Sequence, residues 1–272
     1  MAACTALPRS AACLTCSPMS GELFPIGTTS VTCQATDTLN RTGECSFDVT
    51  VSKLATLSRT RFLAFGDSMT SGEVTFPVGG ASIIGAGLIT KQVVVPSAAY
   101  PAVLQRTLQG RYASQADKIT VANHGLGGEK LVVARDRFFQ ALNSAQPEVV
   151  LLWHGHNDIP GGNDGAASAA ANEMRIMAAE ARLRGMRVFI ATAAPPRPGG
   201  NRSIGQLYID DWNNRMRALA ASEGAVLVDV YAALLPDVQR FMGVDGLHPN
   251  EAGYAKIADT FFQAIQANFE VR

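Results

Sequence analysis

Residues 61–70 read "RFLAFGDSMT". Phe62, Leu63, Ala64 and Phe65 are apolar without a break, so the stretch lacks the alternation of a strand with one wet face. A short unbroken apolar run is what a parallel strand covered on both sides looks like. Gly66, Asp67 and Ser68 then come in a row. All three residue types favour turns, so the bland reading is a turn that merely ends the strand. The sharper reading is that Ser68 is a nucleophile held up at the strand's end. The segments after the other strands decide between the two.

Four more runs share this texture: "KITVAN" at 118–123, "PEVVLLW" at 147–153, "MRVFIAT" at 186–192 and "AVLVDV" at 225–230. Helical stretches lie between them, over 98–112, 129–145, 164–185 and 204–224, and 250–269 closes the chain as a helix. Gly224 is a helix stop signal. Strand and helix alternating in this way predict an α/β fold, a three-layer doubly wound sheet of about five parallel strands. Ligands of such sheets sit at the C-terminal ends of the strands. Residues 73–97 interrupt the pattern. They are Gly-rich and apolar, and read as an insertion, a hairpin leaning over the site or a contact surface.

Polar, Gly-containing segments come after four of the five strands: "GDSMT", "NHGLGGEK", "HGHND" and, past a loop, "DGLHPNEAGY". Each alone is an ordinary turn. Brought to one sheet edge, they supply every part that acyl transfer needs. A serine hydroxyl is a poor nucleophile until a base takes its proton, and His248 is the candidate base. Asp245, three residues earlier, can hold that imidazole in one tautomer and orientation. A tetrahedral oxyanion needs donors aimed at it; the candidates are the N–H of Ser68, the N–H of Gly128 and the side-chain amide of Asn157. Asp67 orients the loop rather than reacting. His154, His156 and Asp158 alternate along a strand end and invite a metal reading. The preferred reading is that His154 and His156 shape the pocket by hydrogen bonds and that the reaction needs neither metal nor cofactor. His124 either does the same or packs.

These blocks carry a resemblance. Residues 61–270 resemble the SGNH hydrolases, a subgroup of the GDSL esterase/lipase family. The Gly-Asp-Ser block falls on Gly66, Asp67 and Ser68. The second-block glycine, five residues after Asn123, falls on Gly128. The Gly-x-Asn-Asp block falls on Gly155, His156, Asn157 and Asp158, and the Asp-x-x-His block on Asp245 and His248. Met69 stands where the family often has Leu. The resemblance implies an SGNH fold, with Ser68 as nucleophile, His248 and Asp245 completing the triad, and Ser68, Gly128 and Asn157 forming the oxyanion hole.

The rest of the chain bounds the setting. It has 272 residues, 47% hydrophobic and 17% charged, so a large core is expected and disorder is not. Lys plus Arg and Asp plus Glu both total 23, a balance that argues against a nucleic-acid partner. No apolar run is long enough to span a membrane. All five cysteines, Cys4, Cys13, Cys16, Cys33 and Cys45, lie in the first 45 residues, which predicts a second, small module. Crowded cysteines in a segment with little core indicate disulfides in an oxidising compartment, and no histidine precedes His124 to favour a metal site. The odd count leaves at least one thiol unpaired or bonded to another chain. "TTSVTCQATD" and "CSFDVTVS" alternate as strands. Either Cys16 and Cys33 or Cys33 and Cys45 could face each other across a hairpin.

Residues 16–51 resemble the C-terminal half of a HYR domain, an extracellular immunoglobulin-like β fold. The expected organisation is therefore a partial HYR-like β module at 1–53, a linker at 54–60 and the hydrolase domain at 61–272. A secreted or extracytoplasmic location is expected, with the leader absent from this chain, since the start lacks a signal-peptide layout. "NRT" at Asn40 and "NRS" at Asn201 fit the glycosylation pattern, which matters only in a eukaryotic secretory pathway.

The expected function is a serine esterase acting on short-chain carboxylic esters, with a small-molecule or carbohydrate ester as partner. A carbohydrate O-acetylesterase is the alternative. An inactive surface-binding protein is the reading from another class, and it would be expected to have lost Ser68, His248 or an oxyanion donor.

Overall fold

The structure is a computed structural model; it describes residues 11–78, 89–159 and 164–271. The chain divides into two compact units, residues 1–55 with 272, and Thr56–Val271.

The first unit is a three-stranded antiparallel sheet, β1 (Ala11–Ser17), β2 (Gly27–Asp37) and β3 (Thr42–Val51), in that order. The strand β1 lies ahead of the two segments whose alternation predicts strands; its "AACLTC" has no clear alternation. Cys16 stands opposite Cys33, and Cys33 opposite Cys45. Both candidate pairings therefore face across the sheet, and Cys16–Cys33 is the disulfide that forms, with Cα atoms 4.0 Å apart. Cys45 is disulfide-bonded as well. Few side chains of this sheet are buried; Val31, Cys33 and Asp37 are, while Leu14 and Phe47 are exposed. Cross-links suit so thin a core.

The second unit contains, in chain order, β4 (Thr56–Leu57), β5 (Arg61–Gly66), α1 (Ser68–Ser71), β6 (Glu73–Pro77), β7 (Thr90–Val94), α2 (Tyr100–Arg111), β8 (Thr120–Gly125), α3 (Leu131–Ala145) and β9 (Val149–Trp153). It continues with α4 (Asp164–Leu183), β10 (Arg187–Ala191), α5 (Gln206–Ser222), β11 (Val226–Val228), α6 (Val230–Leu234), α7 (Val238–Phe241), α8 (Glu251–Phe269) and β12 (Glu270–Val271). The central sheet has the order β11-β10-β9-β5-β8 and every pairing in it is parallel. All five strands are those read from the sequence. The helices α2 and α8 pack together, and α3, α4 and α5 pack in succession; right-handed crossovers put these two groups on opposite faces. The unbroken apolar runs have the expected cause. All five residues of β9 are buried, as are Phe62 to Gly66 of β5.

Numbered by chain order within the sheet, the strands run 2-1-3-4-5. The order reverses beside β5, and a doubly wound sheet opens its ligand crevice at that reversal. The residue next after β5 is Asp67, and then Ser68.

Two features have no mark in the local sequence. The stretch "AVLVDV" stops being a strand at Val228 because Asp229 caps α6, its side chain accepting from the Ala232 N–H. The connecting stretch 54–60 holds β4, which pairs with β12 at the end of the chain. The insertion forms a hairpin, β6 against β7, with Glu73 opposite Val94; residues 79–88 lie outside the described ones. No described helix is long and apolar enough to cross a membrane.

Candidate active site

Ser68 is the first residue of α1, whose single turn folds back against the strand ends. Asp67 caps it, accepting from the Met69 N–H at 3.1 Å. Gly66 is required by close approach. A Cβ there would land on the Trp153 carbonyl and on Thr70 Oγ1, which itself donates to that carbonyl at 3.1 Å. The Gly-Asp-Ser order thus has a local reason: space at the first position, a cap at the second, a side chain lifted past the strand at the third.

His248 reaches this serine from the far end of the chain. Its Nε2 lies 2.9 Å from Ser68 Oγ, and its Nδ1 lies 2.7 Å from Asp245 Oδ2. The carboxylate only accepts, so Nδ1 carries the proton and Nε2 is left to accept from the serine hydroxyl. Asp245 is held by three further donors on Oδ1: the N–H groups of Leu247 and His248 and the hydroxyl of Thr75, each at 3.1 Å. Burial pushes its pKa up, but the His248 contact and these N–H donors outweigh that and hold it below the ordinary carboxylate value. Ser68, Asp245 and His248 are all buried.

The oxyanion candidates follow β8 and β9, the two strands that pair with β5. Gly128, after β8, has φ +76°, a left-handed conformation that favours glycine. Asn157, after β9, donates through Nδ2 to the Glu129 carbonyl at 2.9 Å. That bond fixes the amide and uses one of its two protons, leaving the second for another acceptor.

Beneath the serine lies a buried polar network. The Asp67 Oδ2 accepts from the His156 N–H at 3.1 Å and lies 3.2 Å from His156 Nδ1. His154 Nε2 lies 3.0 Å from Glu129 Oε2. Desolvation of Asp67 raises its pKa, yet the two histidines and the Met69 N–H together bring it well below the usual carboxylate range. Asp158 does not join the histidines at one point. It accepts from the Leu131 N–H at the start of α3, and burial raises its pKa. Among the described residues no group of three His, Cys, Asp or Glu side chains is placed to hold a metal ion. His124 is half-buried, with its carbonyl accepting from Arg137.

The GDSL-like lipase/acylhydrolase family matches residues 64–256, which is most of the chain. The chain belongs to that family. Residues 5–51 match the HYR domain. Among curated proteins, the chain is 27% identical over 161 residues to Esterase TesA of Pseudomonas aeruginosa, covering 58% of this chain and 76% of that one. Several solved structures share the fold. The lipase/acylhydrolase from Enterococcus faecalis superposes with a TM-score of 0.60 at 18% identity, covering 77% of this chain and 97% of that chain. Axe2, an acetylxylan esterase from Geobacillus stearothermophilus, superposes with a TM-score of 0.57 at 19% identity, covering 77% and 94%.

Sequence reasoning missed three residues that build the candidate site. Thr75 holds Asp245 and comes from the inserted hairpin. Glu129 receives His154 and, through its carbonyl, Asn157. Arg137 pairs with the Glu129 carboxylate, donates to the carbonyls of His124 and Gly66, and sits 4.1 Å over the Phe65 ring. Only Glu129 had a signal, its place beside Gly128 in the second block. Thr75 and Arg137 have no local mark.

Proposed function

We propose that this acylhydrolase is a serine esterase that cleaves short-chain carboxylic esters through an acyl-enzyme on Ser68. The observation that carries it is the unbroken line from Ser68 Oγ to His248 Nε2 at 2.9 Å and from His248 Nδ1 to Asp245 Oδ2 at 2.7 Å. His248 takes the hydroxyl proton as Ser68 Oγ bonds to the ester carbonyl carbon. The carbonyl oxygen becomes an oxyanion, met by the N–H groups of Ser68 and Gly128 and by the Asn157 amide. Collapse breaks the bond to the alcohol oxygen, which leaves with the proton held on His248. Water then repeats the sequence on the acyl-enzyme and releases the acid. Asp245 orients His248 and offsets its transient charge. Asp67 and His156 hold the loops from beneath.

A small cleft beside His156, lined mostly by apolar residues including Ala194, Pro195, Ile204, Ile209 and Leu247, favours a short acyl group over a long one. Carbohydrate O-acetyl groups are the second reading, supported by an acetylxylan esterase among the solved relatives. The HYR domain and the disulfide support an extracytoplasmic setting.

The test is hydrolysis of p-nitrophenyl acetate, butyrate, octanoate and palmitate, with Ser68→Ala beside the parent. The parent cleaves the short esters, and the variant loses about 10³-fold or more in kcat. Equal rates in the two proteins would remove Ser68 from the chemistry.

A further inference from the structure

One charged group in the site has no part in the chemistry above. Glu73, the first residue of the inserted hairpin, places Oε2 3.7 Å from His248 Nε2, the nitrogen that also faces Ser68 Oγ. Its other oxygen, Oε1, lies against Gly127, next to the proposed oxyanion donor Gly128. The carboxylate therefore bridges from the base to the oxyanion loop. Among the described residues no lysine or arginine pairs with it. The side chain is 17% exposed, so it is reachable from solvent. Its backbone is pinned as well, since the Glu73 carbonyl accepts from the Tyr254 hydroxyl at 2.7 Å.

No permanent cation pairs with this carboxylate; it offsets the transient charge on His248, but on its Gly127 side it faces the loop where negative charge develops, and that repulsion is weakly screened in a partly buried site. A cation brought by the substrate would offset that repulsion. The side it must arrive from is fixed by the chemistry. His248 Nε2 hands its proton to the departing alcohol oxygen, so the group beside Nε2 meets the alcohol half of the ester. We infer that Glu73 is a specificity-determining residue, selecting esters whose alcohol half carries a positive charge close to the ester oxygen and disfavouring those with a negative charge there. The inference rests on the serine-esterase reading.

The experiment compares kcat/KM for acetylcholine, its uncharged isostere 3,3-dimethylbutyl acetate and the anionic acetoxyacetate, in the parent and in Glu73→Gln at low salt. Dividing each ratio by that of the variant removes the intrinsic reactivity of the esters. The cation-to-neutral ratio is expected to be about tenfold higher in the parent than in the variant, from the Coulomb interaction of unit charges several ångströms apart in a partly screened site. The neutral-to-anion ratio should shift the same way, and both shifts should shrink towards 1 M salt. A variant that only loosens the site lowers all three rates together and leaves the ratios unchanged; that outcome overturns the inference and leaves the esterase reading standing. If the variant is not folded, the parent's own ratios at low and high salt decide the matter, and salt-independent ratios overturn the inference. No hydrolysis of any ester, including p-nitrophenyl acetate, would bring down the esterase reading and the inference with it.

Discussion

At the scale of single residues, the site turns on a few buried polar atoms that each have a defined partner. Thr75 is the clearest case, because its hydroxyl is one of three donors on Asp245 Oδ1 and comes from outside the family's sequence blocks. Thr75→Val keeps the shape and removes the donor. It should cost about 1 kcal/mol of stability, the worth of one hydrogen bond, and lower kcat several-fold with little change in KM. Urea unfolding and steady-state kinetics on the same protein check both. Asn157→Ala removes an amide already aligned by the Glu129 carbonyl. A loss of about 10²–10³-fold in kcat is expected for an oxyanion donor; a loss confined to KM would assign Asn157 to binding instead. Ser68, Gly128 and Asn157 sit in short blocks just after strands, and Asp245 and His248 share one block past α6 and α7, so local patterns were enough to point to them as candidates. Thr75 and Arg137 were not legible, because nothing near them in sequence marks which distant atom they meet.

At the scale of elements, the packing of α1 against the ends of β5, β8 and β9 sets where the serine stands. Gly66 lets that turn close on the Trp153 carbonyl, a backbone atom that cannot swing away. Gly66→Ala should therefore destabilise by about 1–3 kcal/mol or more and reduce activity further than that loss alone explains, read by denaturant midpoint and kcat/KM together. The inserted hairpin is the element whose placement changed the reading most. From sequence it was an insertion, read as a hairpin leaning over the site or a contact surface, with no residue of it assigned a role. In the structure β6 carries both Thr75, on Asp245, and Glu73, beside His248. In the first unit, Cys16–Cys33 ties β1 to the middle of the sheet. Replacing both by Ser should cost about 2–5 kcal/mol, the usual loss for a small disulfide-supported module, seen as earlier proteolysis within residues 11–51.

At the scale of the whole molecule, acid stability depends on the buried carboxylates. Asp67, Glu129 and Asp245 all have pKa values lowered by folding. Such groups stabilise fully above the unfolded carboxylate range of about 3.9–4.3. As pH falls below it the unfolded chain takes up protons first, so stability declines towards the folded pKa. Asp158 is raised and acts with the opposite sign, partly offsetting the others. A melting temperature that is flat near neutrality and falls below about pH 4 is expected, with the fall shallower in Asp67→Asn. A melting temperature that stays level to pH 3 would contradict it. The sequence by itself determined the doubly wound sheet, since unbroken apolar strands alternating with helices bury their faces in few other ways. It also determined the order of the four blocks, because parallel strands deliver their trailing loops to one edge. Only the tertiary structure decided that the hairpin reaches Asp245 and His248, that Glu129 and Arg137 brace the loops, and that β4 meets β12. Those contacts join residues far apart in the chain, and no local pattern of size, charge or period records which surfaces meet when the chain folds.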